Sequence, residues 1–124
     1  MLCRSALALG CSQKGRHATV APMYVVVRLW IREGREAEFE AYERKVARIL
    51  ACHGGAIERA VRCGGTLLNG PAPPFEVHLL HFPSNEEYEE FRRDPQREAL
   101  SAERAGAISH TDVFLGEEGP TYAA

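Results

Sequence analysis

The chain has 124 residues, of which 45% are hydrophobic and 26% charged, and fifteen basic residues against seventeen acidic ones leave a formal net charge of −2. That length makes one domain, able to bury about two-thirds of the surface its unfolded form exposes. The composition excludes a disordered chain, the near-neutral charge gives no electrostatic basis for nucleic-acid binding, and no apolar run approaches the ~18 residues of a membrane span.

Residues 1–22 hold Arg4, Lys14 and Arg16 and no acidic residue, and the apolar stretch Ala6 to Leu9 is too short for a secretory signal. They are expected to form a flexible N-terminal extension, with Met23 a candidate for the true start. Tyr24 to Arg32 reads YVVVRLWIR. It is a β-branched and aromatic strand with Val25, Val27, Leu29 and Ile31 on one face and Val26, Arg28 and Trp30 on the other. Arg35 to His53 is a helix, because Phe39, Tyr42, Val46, Ile49 and Leu50 recur at helical steps. Glu36, Glu40, Arg44 and Arg48 form its solvated face, with Glu40 and Arg44 a favourable i,i+4 pair. Gly54-Gly55 stops the helix, since glycine takes the left-handed cap conformation without strain.

Ala56 to Cys63 is a second strand, with Ile57 and Val61 alternating against Glu58 and Arg62. Gly64 to Pro74 is a connection rich in turn formers, and Phe75 to Phe82 is a third strand. Ser84 and Glu87 fit a capping box at the start of a second helix. Asp94-Pro95 breaks that helix, and a further piece runs from about Gln96 to Ala107. Thr111 to Leu115 is a short last strand, and residues 117–124 read as a polar tail. The order over residues 23–116 predicts a ferredoxin-like α+β sandwich: a βαββαβ domain whose antiparallel sheet carries both helices on one face.

The other face of such a sheet needs a partner, a ligand or water. The aliphatic set of the first strand is expected to meet the helices, which sends Val26, Arg28 and Trp30 to the open face. In the third strand Val77 and Leu79 are read as helix-facing, so Glu76, His78, Leu80 and Phe82 join the open face. A patch of Val26, Trp30, Leu80 and Phe82 is too apolar to stand wet. It predicts a homodimer with sheet against sheet, the seam lined by aromatics with Arg28, Glu76 and His78.

Arg32-Glu33-Gly34-Arg35-Glu36-Ala37-Glu38-Phe39 forms a strand-to-helix turn. Gly64-Gly65, Leu68-Asn69-Gly70, Pro73 or Pro74, Phe82-Pro83-Ser84, Asp94-Pro95, Leu100 and Arg104 follow in order. On these residues the chain from Met23 to about Gly116 resembles the dimeric α/β-barrel superfamily of small ferredoxin-like proteins. That superfamily includes antibiotic-biosynthesis monooxygenases, haem-degrading monooxygenases, chlorite dismutases and muconolactone isomerases. The pattern is most similar to a domain-of-unknown-function branch of it. Proline is more usual where Glu33 stands, an acidic residue where His81 stands, and a tyrosine where Arg97 stands. The resemblance implies the fold and a dimer more firmly than an activity.

Histidine exchanges protons near neutrality and a neighbouring carboxylate can orient it, so His78 beside an Arg28–Glu76 pair is the candidate catalytic residue. Arg28 could hold a substrate carboxylate in a bidentate grip, with Trp30, Glu76 and Phe82 completing a substrate site. The plainer reading of the same residues is a seam network with core aromatics. His53 reads as a helix-end residue, His81 lies on the face opposite His78, and His110 and Asp112 open the last strand. No histidine spacing supports a metal, no glycine-rich phosphate loop follows a strand, and no cofactor is implied. Cys3, Cys11, Cys52 and Cys63 lack metal-site spacing and are expected to be free thiols. Together these features predict a cytoplasmic homodimer binding a small aromatic or acidic organic molecule, in a cavity between sheet and helices or between the two sheets. A cofactor-independent monooxygenase-like or isomerase-like activity fits that cavity. The alternative is a non-catalytic ligand-binding or protein-interaction module.

Overall fold

The computed structural model of the chain describes residues 21–64, 69–70 and 72–123. Nearly all of the expected N-terminal extension, with Cys3 and Cys11, lies outside the described residues, as do Gly65 and Leu68. The elements are β1 (Met23–Ile31), α1 (Glu36–Cys52), β2 (Ala56–Arg62), β3 (Glu76–Phe82), α2 (Asn85–Arg92), α3 (Pro95–Glu98), α4 (Ser101–Ala107) and β4 (Ile108–Gly116). The strands form one sheet in the order β2-β3-β1-β4, with every neighbouring pair antiparallel. This is the ferredoxin-like α+β sandwich the sequence predicts. Among the described residues no helix is long and apolar enough to cross a membrane.

The core lies between the helices and one sheet face. Val25 and Leu29 of β1 meet the α1 stripe of Phe39, Tyr42, Val46, Ile49 and Leu50, all buried. Gly54 has φ +75, the left-handed conformation that ends α1, and a Cβ on Gly55 would stand 2.7 Å from the Phe82 ring. The helix can therefore turn into β2 directly against the core. The Ser84 hydroxyl accepts the Glu87 N–H at 3.3 Å, as the capping box requires. The Asp94 carboxylate accepts the Gln96 N–H at 2.7 Å, with Pro95 in the first helical turn. The stretch read as one piece from Gln96 to Ala107 is two, α3 and α4, parted at Ala99-Leu100. The last strand is longer than its apolar core suggests, since pairing with β1 extends it to Ile108.

Three expectations are corrected. In β3 the faces are inverted: Leu80 pairs opposite Val25, His78 opposite Val27 and Glu76 opposite Leu29. Cross-strand partners share a face. Once the aliphatic face of β1 meets the helices, Glu76, His78, Leu80 and Phe82 must too, and Val77 and Leu79 go to the open side. The energetics agree. Phe82 is fully buried against Tyr88 and Phe91, and burying such a ring contributes about 1.5–3 kcal/mol. The burial cost of Glu76 and His78 is offset by charged partners described below. In β2 a bulge between Ile57 and Arg59 breaks the alternation, so Ile57 opposes Leu80 while Val61 opposes Val77 on the open face. Cys52 is disulfide-bonded rather than a free thiol, while Cys63 is free. In addition, Glu40 pairs with Arg62 at 3.1 Å.

Candidate active site

The inverted face of β3 places two ionisable side chains in the core, and the sequence supplies their partners. Arg62, brought to the helix side by the β2 bulge, donates to Glu76 Oε1 from Nε at 2.9 Å and from Nη2 at 2.6 Å. The Phe75 ring supports that guanidinium from 4.5 Å. Glu76 Oε2 in turn lies 2.6 Å from His78 Nε2. A carboxylate held by an arginine accepts, so the histidine proton belongs on Nε2 and Nδ1 carries the free lone pair. Nδ1 faces Glu43 Oε1 at 3.8 Å, beyond hydrogen-bond reach.

Glu43 was not singled out from the sequence, although the signal was present. It stands four residues after Phe39 and three before Val46, inside the apolar stripe of α1. Burial pushes its carboxyl up from the ordinary 4.5 to about 7; the Glu76 charge adds to this, while His78 and Arg104 oppose it. Glu43 therefore stays largely protonated in mildly acidic solution and about half protonated near neutral pH. A proton donor thus faces an oriented proton acceptor.

Both groups line a cavity of about 100 Å³ between sheet and helices. Val25, Val27, Leu29 and Leu80 form its floor, and Val46, Leu50, Tyr88 and Phe91 its roof. Its polar lining is Tyr42, Glu43, His78, Arg97, Arg104 and Thr111, with Arg92. Arg104 donates to Thr111 Oγ1 at 2.8 Å. Burial raises the Tyr42 hydroxyl pKa, and Arg104 and Arg97 pull against it, which places both cations near that hydroxyl. On the far side of Glu43 and His78 a second hollow, of about 260 Å³, opens between α1 and β2. The pair therefore forms a partition that can be approached from two sides.

The remaining expected site residues are not with His78. Arg28 and Trp30 are on the open sheet face, so the expected Arg28–Glu76 pair does not form. Arg28 donates to Asp112 at 2.8 Å, and Asp112 also lies 2.7 Å from His110 Nε2. Desolvation pushes the Asp112 carboxyl up, but hydrogen bonds from His110 and Arg28 outweigh it and hold that carboxyl below its ordinary value. The Arg28 guanidinium stacks over Phe114 at 4.9 Å and Trp30 at 5.8 Å. Phe82 is core. His81 is on the open face beside Tyr24, at 5.1 Å between rings. Apart from the cavity, His53, Glu87 and Glu90 bring potential metal-ligand atoms within 4.8 Å of one another, with His53 Nε2 bonded to Asp94 at 2.7 Å.

Residues 22–118 match the model of a protein family described as a domain of unknown function, DUF1330. The chain belongs to this family. No curated protein matches it. Among solved structures it is similar to the RPA0582 protein of unknown function from Rhodopseudomonas palustris, with a TM-score of 0.70 and 17% identity over 82% of this chain and 85% of that one. It is also similar to SnoaB, a cofactor-independent oxygenase from Streptomyces nogalater, with a TM-score of 0.62 and 15% identity over 85% of this chain and 100% of that one. A dimeric ferredoxin-like protein of unknown function from Thermobifida fusca has a TM-score of 0.60 and 8% identity over 86% of this chain and 100% of that one. At these identities the likeness is one of fold. The DUF1330 chain thus shares its architecture with monooxygenase-like proteins, and its own side chains must supply the chemistry.

Proposed function

We propose that this DUF1330 protein is a cofactor-independent proton-transfer enzyme, isomerase-like, acting on a small enolisable carbonyl compound in the cavity between sheet and helices. His78 Nδ1 takes a proton from the carbon beside the carbonyl. The C–H electron pair moves into the carbon–carbon bond and the carbonyl pair moves onto oxygen. Glu43 gives its proton to that oxygen, so the intermediate is a neutral enol. Return of a proton to another carbon yields the isomer, and return to the same carbon yields exchange with solvent. Glu76 orients His78 and stabilises its positive charge, and Arg62 holds Glu76 in place through two hydrogen bonds.

The observation that carries this reading is the chain Arg62–Glu76–His78 ending 3.8 Å from a buried carboxyl whose pKa is about 7. A carboxyl with a raised proton affinity facing an oriented imidazole across a cavity wall is suited to acid–base catalysis. The fold likeness to a cofactor-independent oxygenase supports chemistry carried by side chains alone. The test is loss of hydrogen at the carbon beside the carbonyl of 2-oxo acids in heavy water, followed by proton NMR. Exchange should be fast with the wild-type protein and absent with His78→Gln. Equal rates for the two proteins would remove His78 from the mechanism.

We also propose that the open sheet face is the seam of a homodimer. Phe114 is 49% exposed there and Val61 52%, beside Val26, Trp30 and Leu79. The T. fusca protein of this fold is dimeric. The competing reading, a non-catalytic binding or interaction module, rests on the same face. A hollow of about 410 Å³ there is lined by Tyr24, Val26, Glu58, Leu79 and Phe114. A ligand held in that hollow, with no exchange activity, would favour it.

A further inference from the structure

We infer that Arg97 and Arg104 form an anion subsite at the α3–α4 end of the cavity, which holds the carboxylate of a small organic acid. The inference rests on the reading of Glu43 and His78 as the acid–base pair, and names what that pair acts on.

Four arginines among the described residues have a carboxylate partner. Arg28 pairs with Asp112, Arg62 with Glu76 and Glu40, and Arg92 and Arg93 with Glu89. Arg97 and Arg104 do not: among the described residues neither forms an ion pair. Arg104 bonds the neutral hydroxyls of Thr111, at 2.8 Å, and Tyr42, and Arg97 bonds the Arg92 carbonyl, at 3.2 Å, with its guanidinium over the Phe91 ring. Both are half-buried, both line the cavity, and both lie near the Tyr42 hydroxyl. Two half-buried guanidinium groups that form no ion pair make a site for a planar anion, which each can grip through parallel N–H donors.

The cavity decides the size and the rest of the shape. About 100 Å³ is the room of about three water molecules, so the occupant is short. Beyond the arginines the walls are Val, Leu and Phe side chains, which suit a short hydrocarbon segment. With the carboxylate at Arg97 and Arg104, the next carbons lie between Tyr42 and the Glu43–His78 pair. The substrate class is thus a short 2-oxo or unsaturated carboxylic acid.

The test is titration of pyruvate and 2-oxobutyrate against the full chain by calorimetry, with pyruvamide as the neutral match and inorganic phosphate as the competing anion. Pyruvate and 2-oxobutyrate should bind at least about tenfold tighter than pyruvamide. Arg104→Gln should remove that preference. Arg97→Gln, which removes one bond to a backbone carbonyl and one stack on Phe91, should do so with the fold retained by circular dichroism. His78→Gln should keep the preference while losing hydrogen exchange. Equal binding of acid and amide, no saturable binding of any acid, or tighter binding of phosphate would overturn the subsite. Acid binding that needs both arginines but gives no hydrogen exchange would overturn the acid–base reading and leave the subsite standing.

Discussion

Replacing Glu43 by Gln removes a buried acid while keeping its shape. In the unfolded chain this carboxyl titrates at the ordinary 4.5, and in the folded protein at about 7. The folded state therefore holds the proton more tightly, and its advantage is complete below 4.5. As the pH rises from 4.5 through about 7, the unfolded chain loses its proton first and stability falls; above that range the contribution is gone. At about 1.36 kcal/mol per pH unit, the interval from 4.5 to about 7 amounts to on the order of 3 kcal/mol. The Glu43 side chain is 17% exposed, so solvent screening trims this only in part. The glutamine variant has no such proton. Urea unfolding followed by the fluorescence of Trp30, at fixed protein concentration, should show the wild type losing about 3 kcal/mol relative to Glu43→Gln across that range. Parallel pH profiles for the two proteins would refute a buried, protonated Glu43, and the proposed acid with it.

Three further outcomes follow from named contacts. Phe82→Ala should cost about 3–5 kcal/mol in urea unfolding, because the ring is fully buried against Tyr88 and Phe91. Glu76→Gln should slow hydrogen exchange by about 10²-fold or more in the NMR assay, with the fold retained by circular dichroism, because His78 loses its orienting carboxylate. Phe114→Asp should shift the protein from dimer to monomer in sedimentation velocity, since it places a charge at the middle of the open face.

The fold was legible because its signals are local. The β-branched first strand, the helical stripe from Phe39 to Leu50, the Ser84 cap and the Asp94-Pro95 break each carry their own physical meaning. The placement of Arg28 and Trp30 on the open face also followed from alternation alone. The site was less legible because its geometry is set between strands. Phe75 to Phe82 has apolar residues on both faces, and only its register with β1 decides that His78 points inward. The β2 bulge that swings Arg62 toward Glu76 has no residue signature, since neither glycine nor proline marks it. Glu43 could have been found, being an acid at a stripe position. Arg97 and Arg104 line one cavity with Tyr42, a placement that depends on how α3 and α4 pack on α1.

The central claim is that the ligand sits between sheet and helices, not on the open sheet face. Backbone chemical-shift mapping with bound 2-oxobutyrate tests it most directly. The largest shifts should fall on Tyr42, Glu43, His78 and Arg104. A footprint on Val26, Trp30, Leu79 and Phe114 instead would contradict the cavity assignment and the chemistry built on it.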